Sequence, residues 1–333
     1  MLRIGLLGAG RISGVHATAI TANPNSTLVA VSDKFPEVAA KLAGAYAAET
    51  RSTEEIIADP SVDAVLIATP TDTHSDLIEA ATAAGKAVLC EKPVDLDLDR
   101  ARRCQTAITG RKLPVMIGFN RRFDSHFATF KAALANGEIG QPELLSITSF
   151  DPAPPPIEYA KTSGGLFRDM MIHDFDMANF IMGEMPVRLS AAGSSIIVPE
   201  IGALGDVDTA VVTLTYSGGQ IAVIKNSRRS GYGYDQRIEL LGSQGLLQAA
   251  NVPENTVIKS SGSGVVAAKP VDFFLERYMQ SYRSEWDAFV ETVMSGNTPP
   301  ITLKDGVNAL MLAEAATISR ETNVPVSLDE FGK

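Results

Sequence analysis

The chain has 333 residues, more than the ~100–200 of a usual domain, which predicts two domains that each bury a core. With 45% hydrophobic and 20% charged residues, its composition is globular and excludes a disordered or fibrous chain. A formal net charge of -10 repels phosphate backbones and anionic headgroups, so neither nucleic acid nor a membrane is expected as a partner.

Up to Phe119, short β-branched runs alternate with helical stretches. LRIGLLG from Leu2, TLVAVSD from Thr27, DAVLIAT from Asp63, KAVLCEK from Lys86 and LPVMIGF from Leu113 predict buried strands. Helices are predicted between them over Ile12 to Ala22, Glu37 to Ala45, His74 to Ala84 and Leu96 to Thr109. Near-continuous apolar strands alternating with helices specify a parallel sheet covered on both faces, an α/β domain over residues 1–119.

From residue 120 to the end the texture changes. A helix over Phe127 to Ala135 leads to a strand near Leu144, and the Pro-rich DPAPPP from Asp151, which lacks ladder donors, predicts a surface loop. A helix over Met170 to Met182 precedes the strand-like runs RLSAAGSSI, TAVVTLTY, QIAVIKNS and RIELLG, with a hairpin turn at Ser217. Amphipathic helices over Ser281 to Met294 and Lys304 to Thr322 close the chain. Strands grouped together with helices at either end predict an α+β domain on a largely antiparallel open sheet.

Cys90 and Cys104 are too few for a disulfide framework or a structural zinc site, and Cys90 has no matching His partner to make it a nucleophile. No export-signal pattern follows Met1 and no apolar run reaches ~18 residues, so a soluble cytoplasmic protein is expected.

Gly8-Ala9-Gly10 follows the first strand directly and opens the first helix with Arg11 and Ile12. Gly8 permits the tight turn, Gly10 lets the backbone approach a pyrophosphate, and the helix N-terminus offers N–H groups to it. Asp33 ends the second strand 23 residues after Gly10, where an acidic residue binds the adenosine ribose hydroxyls and repels a 2′-phosphate. NAD is therefore the expected cofactor, on a Rossmann domain. Thr69, Pro70, His74, Glu91, Lys92 and Asn120 stand at or just past strand ends on the carboxyl edge, where open α/β sheets bind ligands, and join the expected cofactor contacts.

In the C-terminal part, Gly164-Gly165 precedes Asp169 and His173, four residues apart, a spacing that a helical turn would put on one face. No third ligand can be pointed to, so no metal is expected there.

These segments together resemble the glucose–fructose oxidoreductase and inositol dehydrogenase family over nearly the whole chain. The likeness is carried by GAGRI, TPTDTH, CEKPVDLDL, GFNRRFD, DPAPPP, SGGLFRDMMIHDFDMANF and YGYDQRIELLGS. Departures are Ser13, where a glycine is usual, and Phe150, where an arginine is common. The resemblance implies Lys92, Asp169 and His173 as catalytic residues, with Arg121 and Tyr234 also contacting a small polyol or sugar. It implies NAD-dependent, metal-independent oxidation of myo-inositol to 2-keto-myo-inositol by a homotetramer. The alternatives are scyllo-inositol or a pyranose sugar as substrate, or a non-enzymatic NAD-binding regulator.

Overall fold

The computed structural model describes residues 1–331. The apolar runs of the N-terminal half pair with one another because strands buried on both faces satisfy their backbones only in a covered sheet. β1 (Leu2–Leu7), β2 (Ser26–Ser32), β3 (Glu49–Thr50), β4 (Ala64–Ile67), β5 (Ala87–Glu91) and β6 (Val115–Gly118) lie in the order β3-β2-β1-β4-β5-β6. Every pair is parallel. From β1 the chain turns outward to β2 and β3 and then returns to β4 on the other side. The strand order therefore reverses between β1 and β4, which opens a crevice at their carboxyl ends. The short edge strand β3 and the helix Thr53–Ala58 add to the predicted elements, the helix started by a reciprocal Ser52 and Glu55 capping box.

Two compact units divide the chain: Met1–Phe123 with Gln280–Leu310, and Asp124–Met279 with Met311 onward. A boundary at 119/120 leaves residues 280–310 with the C-terminal domain, whereas these residues cluster with the first unit. Long-range side-chain contacts explain the difference. Trp286, fully buried, donates Nε1–H to Ser26 Oγ at 2.9 Å, and the Tyr282 ring stands edge-on to His16 at 5.5 Å.

The second unit holds a seven-stranded sheet of β7 (Pro142–Phe150), β8 (Arg188–Ser194), β9 (Thr209–Thr215), β10 (Ile221–Ser227), β11 (Asp235–Gly242), β12 (Gly245–Ala249) and, after the hairpin β13 (Ile258–Ser261) and β14 (Gly264–Ala267), β15 (Val326–Ser327). Its order is β12-β11-β7-β10-β9-β8-β15. Only β7 and β10 pair parallel, so the sheet is mostly antiparallel, as expected. Burial alternates along β9, β10 and β11, which marks one covered and one open face. Register sets Leu246, Leu241, Leu144 and Ile221 side by side on neighbouring strands of the open face, each 40–47% exposed.

One predicted element is corrected. Instead of a single helix over Met170 to Met182, a short helix Gly165–Asp169 ends before Met170 and a second runs over Ile172–Met182. Leu166 O accepts from both Met170 N and Met171 N, so the chain inserts a wide turn between the helices. Asp169 therefore closes one helix and His173 opens the next, rather than sharing a continuous face.

Candidate active site

Gly8 adopts φ +96, and a Cβ there would lie 2.4 Å from the backbone oxygen of Ala68. Only glycine lets the loops after β1 and β4 approach this closely. Gly10 is the N-cap of the helix Arg11–Ala22, with no side-chain cap and nothing within 4 Å of an added Cβ. The first N–H groups of that helix are thus left for an external acceptor, which suits a dinucleotide pyrophosphate. Arg11 is exposed and Ile12 half-buried at this end, while Ser13 is fully buried.

Asp33, half-buried at the end of β2, accepts from Ala9 N at 2.7 Å through Oδ2 and from Phe35 N at 2.9 Å through Oδ1. The acidic residue is thereby fastened to the glycine loop. On the neighbouring loop, Thr69 Oγ1 lies 2.6 Å from Thr73 Oγ1, and exposed Pro70 caps the turn Thr71–Thr73.

His74 is buried between two carbonyls, with Nδ1 2.8 Å from Pro93 O and Nε2 3.0 Å from Thr69 O. Burial lowers its pKa against the pull of these carbonyls and keeps the imidazole neutral, with one N–H to donate. The neutral ring therefore donates to one of the two carbonyls and packs against the other, between the loops that follow β4 and β5.

Glu91, the last residue of β5, is buried and lies 2.6 Å from His16 Nε2 through Oε1. Its Oε2 accepts from Lys92 N at 3.3 Å. Burial pushes this carboxyl up, but the hydrogen bond from His16 and the neighbouring His16 and Lys92 outweigh it, so it falls below its ordinary value. An ionised, doubly held Glu91 fixes the backbone that presents half-buried Lys92, which precedes a cis proline.

Glu285 is fully buried, and both of its oxygens lack a hydrogen-bond partner among the described residues. Burial and the charge of Glu91 push its pKa well above the ordinary value, so it is a neutral acid. The sequence carries no signal for it beyond its place on an amphipathic helix. Asn120 and Arg121, both buried, follow β6, and Asn120 Nδ2 donates to Ser281 Oγ at 3.1 Å.

In the second unit, Asp169 Oδ1 accepts from the Tyr159 hydroxyl at 2.8 Å, and Oδ2 faces Arg228 Nη2 at 3.6 Å. Tyr159 belongs to the short helix Ile157–Ala160 that follows the Pro-rich loop, so that loop delivers a donor to the acidic residue. His173, half-buried, is the second residue of its helix. Asp174 beside it is fully buried and accepts from Ser149 Oγ at 2.6 Å and Asn226 Nδ2 at 2.8 Å, which ties the head of the helix to β7 and β10. Tyr234 is buried with its ring edge-on to Tyr278 at 6.0 Å. Sequence reasoning missed Tyr159 and Arg228, because nothing in their spacing relates them to Asp169.

Among the described residues, no helix is long and apolar enough to cross a membrane. Comparison with known proteins matches this geometry. Residues 2–119 fit the model of an oxidoreductase family with an NAD-binding Rossmann fold, and residues 127–248 fit the GFO/IDH/MocA C-terminal domain. The chain is 48% identical over 318 residues to the inositol 2-dehydrogenase of Rhizobium meliloti strain 1021, covering 96% of both. It is 45% identical over 333 residues to the myo-inositol 2-dehydrogenase of Thermotoga maritima, covering 99% of both. The crystal structure of a myo-inositol dehydrogenase from Corynebacterium glutamicum matches with a TM-score of 0.95 at 44% identity, over 98% of this chain and 99% of the other. The glycine loop, its aspartate and the two-domain match agree: the chain belongs to the GFO/IDH/MocA family of NAD-binding oxidoreductases.

Proposed function

We propose that the protein oxidises myo-inositol to 2-keto-myo-inositol, without a metal ion, and that Lys92, Asp169 and His173 carry the chemistry. The observation that supports this most is the acid and imidazole pair on successive helices, with the acid held by both a hydroxyl and a guanidinium. Bound NAD supplies the hydride acceptor. As the carbinol hydrogen leaves with its electron pair, His173 takes the hydroxyl proton, a task suited to an imidazole that titrates near neutrality. Asp169 orients the ring and stabilises its charged form. Lys92 donates to the reacting oxygen and favours the negative charge that develops there. Arg121 and Tyr234 are assigned to the remaining ring hydroxyls.

Gly8, Gly10, Arg11, Ile12, Asp33, Thr69, Pro70, Glu91 and Asn120 are assigned to the cofactor, with His74 contributing through the loops that it packs between. The same chemistry on scyllo-inositol or a pyranose sugar is the second reading, favoured by Phe150, an apolar residue where the family resemblance implies arginine. Association into a homotetramer through the open sheet face is supported by the row of exposed apolar residues from Leu246 to Ile221.

The deciding experiment assays purified protein with NAD against a panel of inositol isomers and sugars, following NADH absorbance. Highest kcat/KM for myo-inositol is expected. Preference for another member of the panel replaces the substrate, and no NADH with any member rejects the reading.

A further inference from the structure

Arg228 follows β10 directly and is 1% exposed. Its backbone N–H donates to Asp208 O at 2.8 Å, which fixes the root of the side chain. The Asp208 carboxylate is already engaged by the backbone N–H groups of Ile196, Ile197 and Val198 and by the Thr209 hydroxyl. The carboxylate that faces the guanidinium is Asp169, 3.6 Å from Nη2.

A guanidinium cannot shed its charge in a protein, and a buried charge is costly unless it is paired. Yet Nε and Nη2 of Arg228 have no hydrogen-bond partner among the described residues. These two donors form one edge of the planar group, the edge that matches a carboxylate at two points. The separation from Asp169 exceeds ordinary hydrogen-bond range by only about 0.5 Å. Tyr159 also donates to Asp169, but it is neutral and half exposed, so it sets geometry and contributes no charge.

We propose that Arg228 is the positioning residue for Asp169. Its guanidinium holds that carboxylate in one orientation, so that it stabilises His173 when the imidazole takes the substrate proton. The inference rests on the reading of Asp169 and His173 given above. Arg228 acts through Asp169, and its removal is therefore felt in turnover and not in cofactor binding.

A double-mutant cycle tests this. Full-length Arg228→Met, Arg228→Lys, Asp169→Asn and the two double variants are assayed with NAD and myo-inositol for kcat and KM, with NAD affinity and thermal melting measured beside them. Arg228→Met is expected to lower kcat by ~10–100-fold, with NAD affinity unchanged. Arg228→Lys, which keeps the charge and loses the fork, should fall between it and wild type. In the Asp169→Asn background, either change at position 228 should cost less than about threefold. Full kcat in Arg228→Met, or equal losses in both backgrounds, overturns the inference and leaves a structural role. Where Arg228→Met does not fold, the same comparison with Arg228→Lys decides. Wild-type turnover in Asp169→Asn alone overturns the reading of the pair and this inference with it. An impaired Asp169→Asn combined with an undiminished cost at 228 overturns this inference only.

Discussion

Asp33 Oδ2 accepts the Ala9 backbone N–H at 2.7 Å, so the acidic residue that ends β2 is also a structural part of the glycine loop. The side chain fastens the loop, and in the proposed function it also carries the negative charge that excludes a 2′-phosphate from the ribose site.

Asp33→Asn can accept the Ala9 N–H but not the Phe35 N–H as well, and it carries no charge. It is expected to raise the NADP to NAD ratio of kcat/KM by at least ~10-fold, equivalent to about 1.4 kcal/mol, with a modest fall in melting temperature from the lost Phe35 contact. Asp33→Ser with Lys34→Arg should shift selectivity further, with some thermal stability lost as the loop contact weakens. Unchanged NAD selectivity in both variants would remove Asp33 from the ribose site.

The two loop glycines should separate stability from binding. Gly8→Ala forces a Cβ into the Ala68 carbonyl at positive φ, with strain of about 1–3 kcal/mol before the clash is counted, and should lower the melting temperature. Gly10→Ala meets no neighbouring atom and should melt like wild type, yet bind NAD at least ~10-fold more weakly because its methyl occupies the path of the pyrophosphate. Melting curves and NAD titrations of both variants check this. Normal NAD affinity in Gly10→Ala would contradict the placement of the cofactor.

Glu285 should make stability fall with pH. Its folded pKa lies well above the ordinary 4.5, so the folded state keeps a proton that the unfolded chain has released. That contribution is present in full below about pH 4.5 and is lost progressively as pH rises toward the folded value. Glu285→Gln cannot titrate, and its melting temperature relative to wild type should climb between pH 5 and pH 8. A constant difference across that range would show that Glu285 is already ionised in the fold.

The parallel sheet was readable because strands buried on both faces are continuous apolar runs, and the place of Asp33 beside the glycine loop because its spacing from Gly10 is fixed by one strand, helix, strand unit. The break at Met170 and Met171 was not. Methionine is a good helix former, and the turn arises from two amides sharing Leu166 O, which no local preference encodes. Nor was the packing of Trp286 against Ser26, since amphipathicity shows that a helix face is buried but not against what. Arg228 lies in NSRRSG, a stretch that reads as solvated charge, and only the tertiary structure reveals that this guanidinium is buried facing Asp169.

His173→Ala tests whether His173 removes the substrate proton. NAD reduction by myo-inositol is measured across pH for wild type and variant, with thermal melting of each. The wild-type rate should rise with pH as the imidazole becomes free to accept a proton. The variant should fold normally, lose ~10²–10⁴-fold in kcat and show a flattened alkaline limb. A folded variant with normal turnover and an unchanged pH profile would contradict the account.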